Sequence, residues 1–203
     1  IYTLSLHDAL PIFSLFHVIN GAQDASQFII RLAIFFANDL LYILLFILTF
    51  LWFYGDQDLK NRVIKSVFLT CVSLLVGYVI SLFYHHPRPF VMGVGTTFIE
   101  HAPTASFPSN HMLIFSTIAL SYLFAQRKMI GIILLFLSFV VAWSRIYLGV
   151  HFPLDMLGAF IVALLVNTAG YYFWNVYGTP LTAFFIHLYQ IICKPLLDRG
   201  LIK

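Results

Sequence analysis

The chain has 203 residues, of which 61% are hydrophobic and only 9% charged, and its mean hydropathy is +0.93. A soluble domain carries about a quarter charged residues, so this composition excludes a water-coated globule and implies a polytopic membrane protein, organised as a single domain over 1–203. The formal net charge of +3 is too small for a nucleic-acid partner, and Cys71 and Cys193 lie far apart in apolar segments with no metal-ligand spacing.

The chain begins at Ile1, and IYTLSLHDALPI lacks the basic start and long apolar core of a signal peptide. Residues 1–12 are therefore expected to be non-native, and no chemistry is read from His7 or Asp8. The stretch from Phe13 to Arg31 is expected to lie in the membrane interface. Residues 32–54 form the first predicted span, interrupted by Asn38 and Asp39, and the uncharged SVFLTCVSLLVGYVISLFY (66–84) forms the second. A polar connection rich in Pro and Gly follows, from His85 to Pro108. Three further spans are predicted: Ser109 to Gln126, Met129 to about Gly149, and Leu154 to Trp174. The tail PLTAFFIHLYQIICK is short for a crossing, and its His187, Gln190 and Lys194 recur at helical spacing, so an interfacial amphipathic helix is expected there. The fold class is thus an all-α membrane bundle of about five transmembrane helices, five to six, with short interfacial helices.

Basic residues set the expected topology. With five spans, Lys60, Arg62, Lys65, Arg127, Lys128, Lys194, Arg199 and Lys203 all fall on one side, which the positive-inside rule makes cytoplasmic. Only Arg31, Arg88 and Arg145 remain for the other side. The 85–108 connection and the stretch SRIYLGVHFPLD (144–155) therefore face outward.

Three polar clusters converge on that outward edge: HHPRPF (85–90), FPSNH (107–111) and SRIYLGVHFPLD. Charge at a membrane edge is expensive and marks function. Arg88 sits between two prolines, and Arg145 falls at the end of a predicted helix. Guanidinium groups bind phosphate oxygens bidentately. Pro108-Ser109-Asn110-His111 reads as a helix start with Ser109 as N-cap, and such a start offers free backbone N–H groups to an anion. Two arginines and one helix N-terminus make a phosphate cradle.

His151 and Asp155 are four apart, on one face of a helix that begins near Phe152 and Pro153. Asp155 could then hold one ring nitrogen of His151 and leave the other free as a nucleophile, and His111 could act as acid and base across the phosphate. Taken singly, each of these residues also fits an interfacial side chain or a snorkelling anchor. His85, His86 and His101 with Glu100 match no compact ligand set, so no metal site is expected.

The blocks RP (88–89), PSNH (108–111) and SRIYLGVHFPLD (144–155) resemble the three signature blocks of the type 2 phosphatidic acid phosphatase superfamily. The third fits SRxxxxxHxxxD at every specified position, and the resemblance spans about residues 28–175. It implies a metal-independent phosphatase without cofactor that works through a phosphohistidine. His151 would be the nucleophile, Asp155 its partner and His111 the acid/base, with Arg88, Arg145, Ser109 and Asn110 binding phosphate. Two positions depart from the family's pattern. Ser81 stands where the first block usually has a lysine, a charge for which His85 or His86 would partly substitute, and Asn110 replaces the usual glycine of the second block.

Short chains with HPRPF and PS[D/N]H are similar to the bacterial undecaprenyl-diphosphate phosphatase branch. That likeness implies a polyprenyl diphosphate substrate in the bacterial cytoplasmic membrane, an outward-facing site, carrier recycling for peptidoglycan synthesis and resistance to bacitracin. Membrane lipids are the other implied partners, and the oligomeric state stays open. Phosphatidic acid, phosphatidylglycerophosphate and phosphoryl transfer to another lipid stand as alternative reactions of the same site. A small transporter or channel is a more remote reading, for which Asn38, Asp39 and Asn167 are the notable mid-membrane polar residues.

Overall fold

In hydrocarbon, backbone polar groups must be satisfied within one segment, and the apolar runs of this chain accordingly become helices joined by short polar breaks. A computed structural model describes residues 6–203, with side chains from Ile12 onward. Residues 1–5 and the side chains of 6–11, including His7 and Asp8, lie outside the described residues.

Helix α1 (Leu6–Ile19) is followed by a break and by α2 (Gln27–Ile34). A π-helical turn, Phe35–Asp39, joins α2 to α3 (Leu40–Tyr54). The polar pair Asn38 and Asp39 thus falls where the helix loosens, and the first span begins at Gln27 instead of residue 32. Helix α4 (Gln57–Phe83) opens on the Asp56 side chain, which accepts from the Leu59 N–H at 2.8 Å. The 85–108 connection contains one 3-10 turn, Pro89–Met92. Helices α5 (Asn110–Phe124), α6 (Lys128–Tyr147), α7 (Pro153–Ile192) and α8 (Lys194–Leu197) complete the described chain, which has no strand among the described residues.

Among the described residues, four stretches are long and apolar enough to cross a membrane: Gln27–Tyr54, Gln57–Phe83, Lys128–Tyr147 and Pro153–Ile192. The remaining expected span, α5, has 15 residues, or about 22 Å of helix. It is the central element, packed against α4, α6 and α7, with Leu113, Phe115, Ser116, Thr117 and Ala119 buried. Small polar groups join these helices inside the bundle. The Thr117 hydroxyl donates to Ser73 Oγ at 2.9 Å, and Asn167 Nδ2 donates to the Thr117 carbonyl at 3.2 Å. Asn167 therefore ties α7 to α5.

Two expected interfacial segments are built differently. The stretch from Phe13 to Arg31 is divided between α1 and the start of α2, and Phe16 is fully buried against Phe152 with ring centroids 5.2 Å apart. The tail is no separate helix but the last turns of the 40-residue α7, which continues through Pro180. Asn175, Gly178 and Thr179 precede Pro180 but stay within the helix, and one proline removes one backbone bond from a long helix. At about 60 Å, α7 is twice the thickness of a bilayer core. Its end returns to the α3–α4 corner: Tyr189 stacks edge-on to Trp52 with centroids 5.3 Å apart, and the Lys203 N–H donates to the Phe53 carbonyl at 2.9 Å.

The bundle has two chemically distinct ends. Asp58 pairs with Arg62 and, at 3.1 Å, with Arg127, which brings the α3–α4 and α5–α6 turns to one end. The 20–26 break, the 85–108 connection and the α6–α7 corner meet at the other. Asn20 binds that second end together: its Nδ2 donates to the Thr96 carbonyl at 2.9 Å and the Tyr147 carbonyl at 3.0 Å, and its Oδ1 accepts from the Thr96 N–H at 2.8 Å.

Candidate active site

The corner between α6 and α7 is built by one glycine and one proline. Gly149 has φ +77°, a conformation that L side chains rarely adopt, and the Thr96 carbonyl lies where its Cβ would be. The turn aims His151 inward, after which Pro153 starts α7 in the first-turn position proline favours. Asp155 falls in that first turn, and its Oδ2 accepts from the Phe152 N–H at 2.7 Å. This carboxylate caps the helix with the same oxygen that faces His151.

His151 Nδ1 lies 3.2 Å from Asp155 Oδ2, and both side chains are buried. Ser106, from the 85–108 connection, donates its hydroxyl to the same Oδ2 at 2.5 Å and lies 3.3 Å from His151 Nδ1. On the other edge of the ring, Arg88 Nη1 is 3.1 Å from His151 Nε2. A guanidinium only donates, so Nε2 accepts, and the proton of the neutral imidazole sits on Nδ1, pointing at Asp155. Burial pushes the His151 pKa down to about 4, against the pull of Asp155 and with the help of the Arg88 and Arg145 charges. The ring is therefore neutral near pH 7, with a lone pair on Nε2.

Arg88 is held by four acceptors besides His151. Nε donates to the Thr104 carbonyl at 3.1 Å, Nη1 to the Val150 carbonyl at 2.9 Å, and Nη2 to Thr104 Oγ1 at 3.3 Å and the Ala105 carbonyl at 3.2 Å. Burial lowers its pKa from arginine's ordinary value and Asp155 opposes the shift. Arg145 is 2% exposed, and its Nε has no hydrogen-bond partner among the described residues. A buried guanidinium atom without a partner suits an anion that arrives from outside.

The second block forms the facing wall. Ser109 is buried and caps α5, its Oγ accepting from the Met112 N–H at 3.5 Å, while its own N–H donates to the Asp155 carbonyl at 3.2 Å. The α5 start is thus fastened to the α7 start. Asn110 is exposed at the first position of α5, and His111 is half-buried and within the electrostatic reach of Arg145, His151, His101 and Arg88. Together these groups present fixed positive charge, N–H donors and one unprotonated ring nitrogen, which suits capture of a phosphoryl group and nucleophilic attack on it.

The structure brings Arg88, Arg145, Ser109, His111, His151 and Asp155 to one place. His85 is exposed, and His86 packs between Tyr84 and Phe152, at centroid distances of 5.9 and 5.4 Å, with no hydrogen bond to the two arginines or His151. Ser81 turns its hydroxyl back to the Tyr78 carbonyl at 2.7 Å. Sequence reasoning missed Ser106 and Thr104, because no spacing rule distinguishes a small polar residue in a proline-rich loop, and Asn20, because its partners lie in distant parts of the chain. It also left His101 without a role, although a histidine three residues before a Thr-Ala-Ser run was visible.

The family model of the PAP2 superfamily matches residues 62–178. The chain is 39% identical over 168 residues to YbjG of Escherichia coli (strain K12), covering 83% of this chain and 85% of that one. It is 29% identical over 187 residues to the undecaprenyl-diphosphatase BcrC of Bacillus subtilis (strain 168), covering 92% and 96% respectively. Among solved structures, the fold is similar to the crystal structure of Aquifex aeolicus LpxE, with a TM-score of 0.68, 24% identity and coverage of 82% of this chain and 98% of that one.

Proposed function

This chain belongs to the PAP2 superfamily, and from that premise we propose that it is a membrane phosphatase that hydrolyses undecaprenyl diphosphate to undecaprenyl phosphate and orthophosphate. The observation that carries this reading is the His151 ring, with Nδ1 directed at Asp155 and Nε2 at Arg88. Similarity over most of its length to a relative named undecaprenyl-diphosphatase supports the substrate.

In this reading Arg88, Arg145 and the Ser109–Asn110 start of α5 hold the terminal phosphate. Arg88 Nη1 shifts its hydrogen bond from His151 Nε2 to a phosphate oxygen, the freed Nε2 lone pair attacks the phosphorus, and the bond to the bridging oxygen breaks. His111, which takes up a proton from solvent as the phosphate dianion binds, gives it to that oxygen, so the lipid monophosphate departs and a phosphohistidine remains. His111 then takes a proton from water, which attacks the phosphohistidine and releases orthophosphate with His151 restored. Asp155 keeps the Nδ1 proton in place throughout and offsets the positive charge that forms on the ring. The two buried arginines supply the charge stabilisation of phosphoryl transfer.

Positive residues gathered at the Asp58 end support an orientation with that end in the cytoplasm and the site facing outward, in the bacterial cytoplasmic membrane. Lipid diphosphate left on the outer face would then reach the site without crossing, and higher expression would raise bacitracin tolerance. Phosphate release by the purified protein, assayed with EDTA on undecaprenyl diphosphate, phosphatidic acid and phosphatidylglycerophosphate, tests the reading. Hydrolysis of the diphosphate that vanishes in His151→Ala is expected. Turnover of the monophosphate lipids alone overturns the substrate, and full activity of His151→Ala overturns the mechanism.

A further inference from the structure

One more histidine faces the reacting ring. His101, on the 85–108 connection, is half-buried, and its ring lies 6.4 Å from that of His151 at an interplanar angle of 73°. Its other ring neighbour is Phe90, with centroids 6.5 Å apart. Nδ1 is 2.9 Å from the Ala102 carbonyl, which can only accept, so Nδ1 carries a proton and Nε2 is the free atom. The charges of Arg88 and Arg145 both act on His101, and His101 in turn acts on His111. It therefore stands inside the field of the phosphate cradle.

The other candidates for a further cation are placed elsewhere. His85 is exposed, His86 is enclosed by Tyr84 and Phe152, and Ser81 is bonded to its own helix. An imidazole turns about far fewer side-chain bonds than a lysine, and with Nδ1–H on the Ala102 carbonyl it meets an anion through Nε2. Burial foremost, with the Arg88 and Arg145 charges, disfavours a second proton on this ring. A bound phosphate reverses the local charge, and the ring can then take a proton from solvent and donate through Nε2 to a phosphate oxygen.

The geometry points to His101 as a phosphate-binding residue of this site, the third cationic side chain on the substrate's phosphate beside Arg88 and Arg145. This rests on the function proposed above and adds a residue outside the three sequence blocks. Its role is to hold the phosphate, so its loss weakens binding more than turnover.

Inorganic phosphate, as product inhibitor of lipid-diphosphate hydrolysis, is the probe. Wild type, His101→Ala, His101→Gln and His101→Lys are compared at matched melting temperature, and the Gln variant stands in if the Ala variant does not fold. His101→Ala and His101→Gln are expected to raise Ki for phosphate and KM about tenfold, with kcat within about threefold. His101→Lys is expected to return Ki to within about threefold of wild type. Unchanged Ki in folded His101→Ala and His101→Gln overturns the assignment, as does a loss of phosphate affinity that appears only in His85→Ala or His86→Ala. A wild-type protein that hydrolyses no lipid phosphate overturns the proposed function itself, so the two failures are separate.

Discussion

Arg88 donates a hydrogen bond to the Nε2 of His151 across 3.1 Å, while the opposite ring nitrogen lies 3.2 Å from Asp155. The imidazole is thus held from both edges, by a group that can only donate and a group that accepts. This fixes its tautomer before any substrate arrives.

The first expectation concerns that tautomer. Burial foremost, with Arg88 and Arg145 against Asp155, holds the His151 pKa at about 4, below the ordinary 6.5. A lowered histidine pKa extends the neutral form towards acid. Histidine-selective 15N NMR of the detergent-solubilised protein should show His151 as the Nδ1–H tautomer from pH 8 down to about pH 5, with protonation beginning only below that. Titration of this ring near 6.5 would contradict the assignment.

Ser106 is expected to act as a positioning residue. Its hydroxyl reaches Asp155 Oδ2 at 2.5 Å and lies 3.3 Å from His151 Nδ1. Loss of a hydrogen bond to a charged group costs about 1.5–3 kcal/mol, which corresponds to roughly ten- to a hundredfold in rate. Ser106→Ala should lower kcat by that factor with little change in KM, and Ser106→Thr should recover part of it. Steady-state kinetics on the two variants decide the matter, and an unchanged kcat in Ser106→Ala would remove the role.

Arg88→Lys keeps the charge and loses the fork. The five contacts of the Arg88 guanidinium, to His151, Val150, Thr104 twice and Ala105, join three parts of the site. One ammonium group cannot span them. A drop of about a hundredfold in kcat/KM is expected on loss of such a charge-assisted network, and activity within threefold of wild type would show that charge alone suffices.

Gly149→Ala tests the corner. The added Cβ would lie 2.1 Å from the Thr96 carbonyl oxygen at a backbone φ of +77°. Strain of this kind costs about 3 kcal/mol or more when the clashing atom is backbone, so thermal unfolding should begin several degrees lower. Activity should fall with it, because the same turn sets the direction of His151. A melting temperature equal to wild type would mean that the corner relaxes freely.

Much of this protein was legible in its sequence for two physical reasons. Hydrocarbon tolerates only self-satisfied backbone, so long apolar runs such as 66–84 reveal helices directly, and charge at a membrane edge is costly enough that Arg88, Arg145, His151 and Asp155 stood out against their surroundings. Local rules also carried through: Ser109 is an N-cap, and Asp155 sits one turn into a helix that opens on Pro153. Only the tertiary structure decided what is brought together from distant parts of the chain. That Ser106 and Arg88 flank the His151–Asp155 pair, that Asn20 fastens the 85–108 connection to the end of α6, and that His101 instead of His85 or His86 lies against the His151 ring all depend on how one irregular loop folds over the bundle. Such a loop has no periodicity, and the placement of its side chains is set by contacts whose partners lie up to 76 residues away.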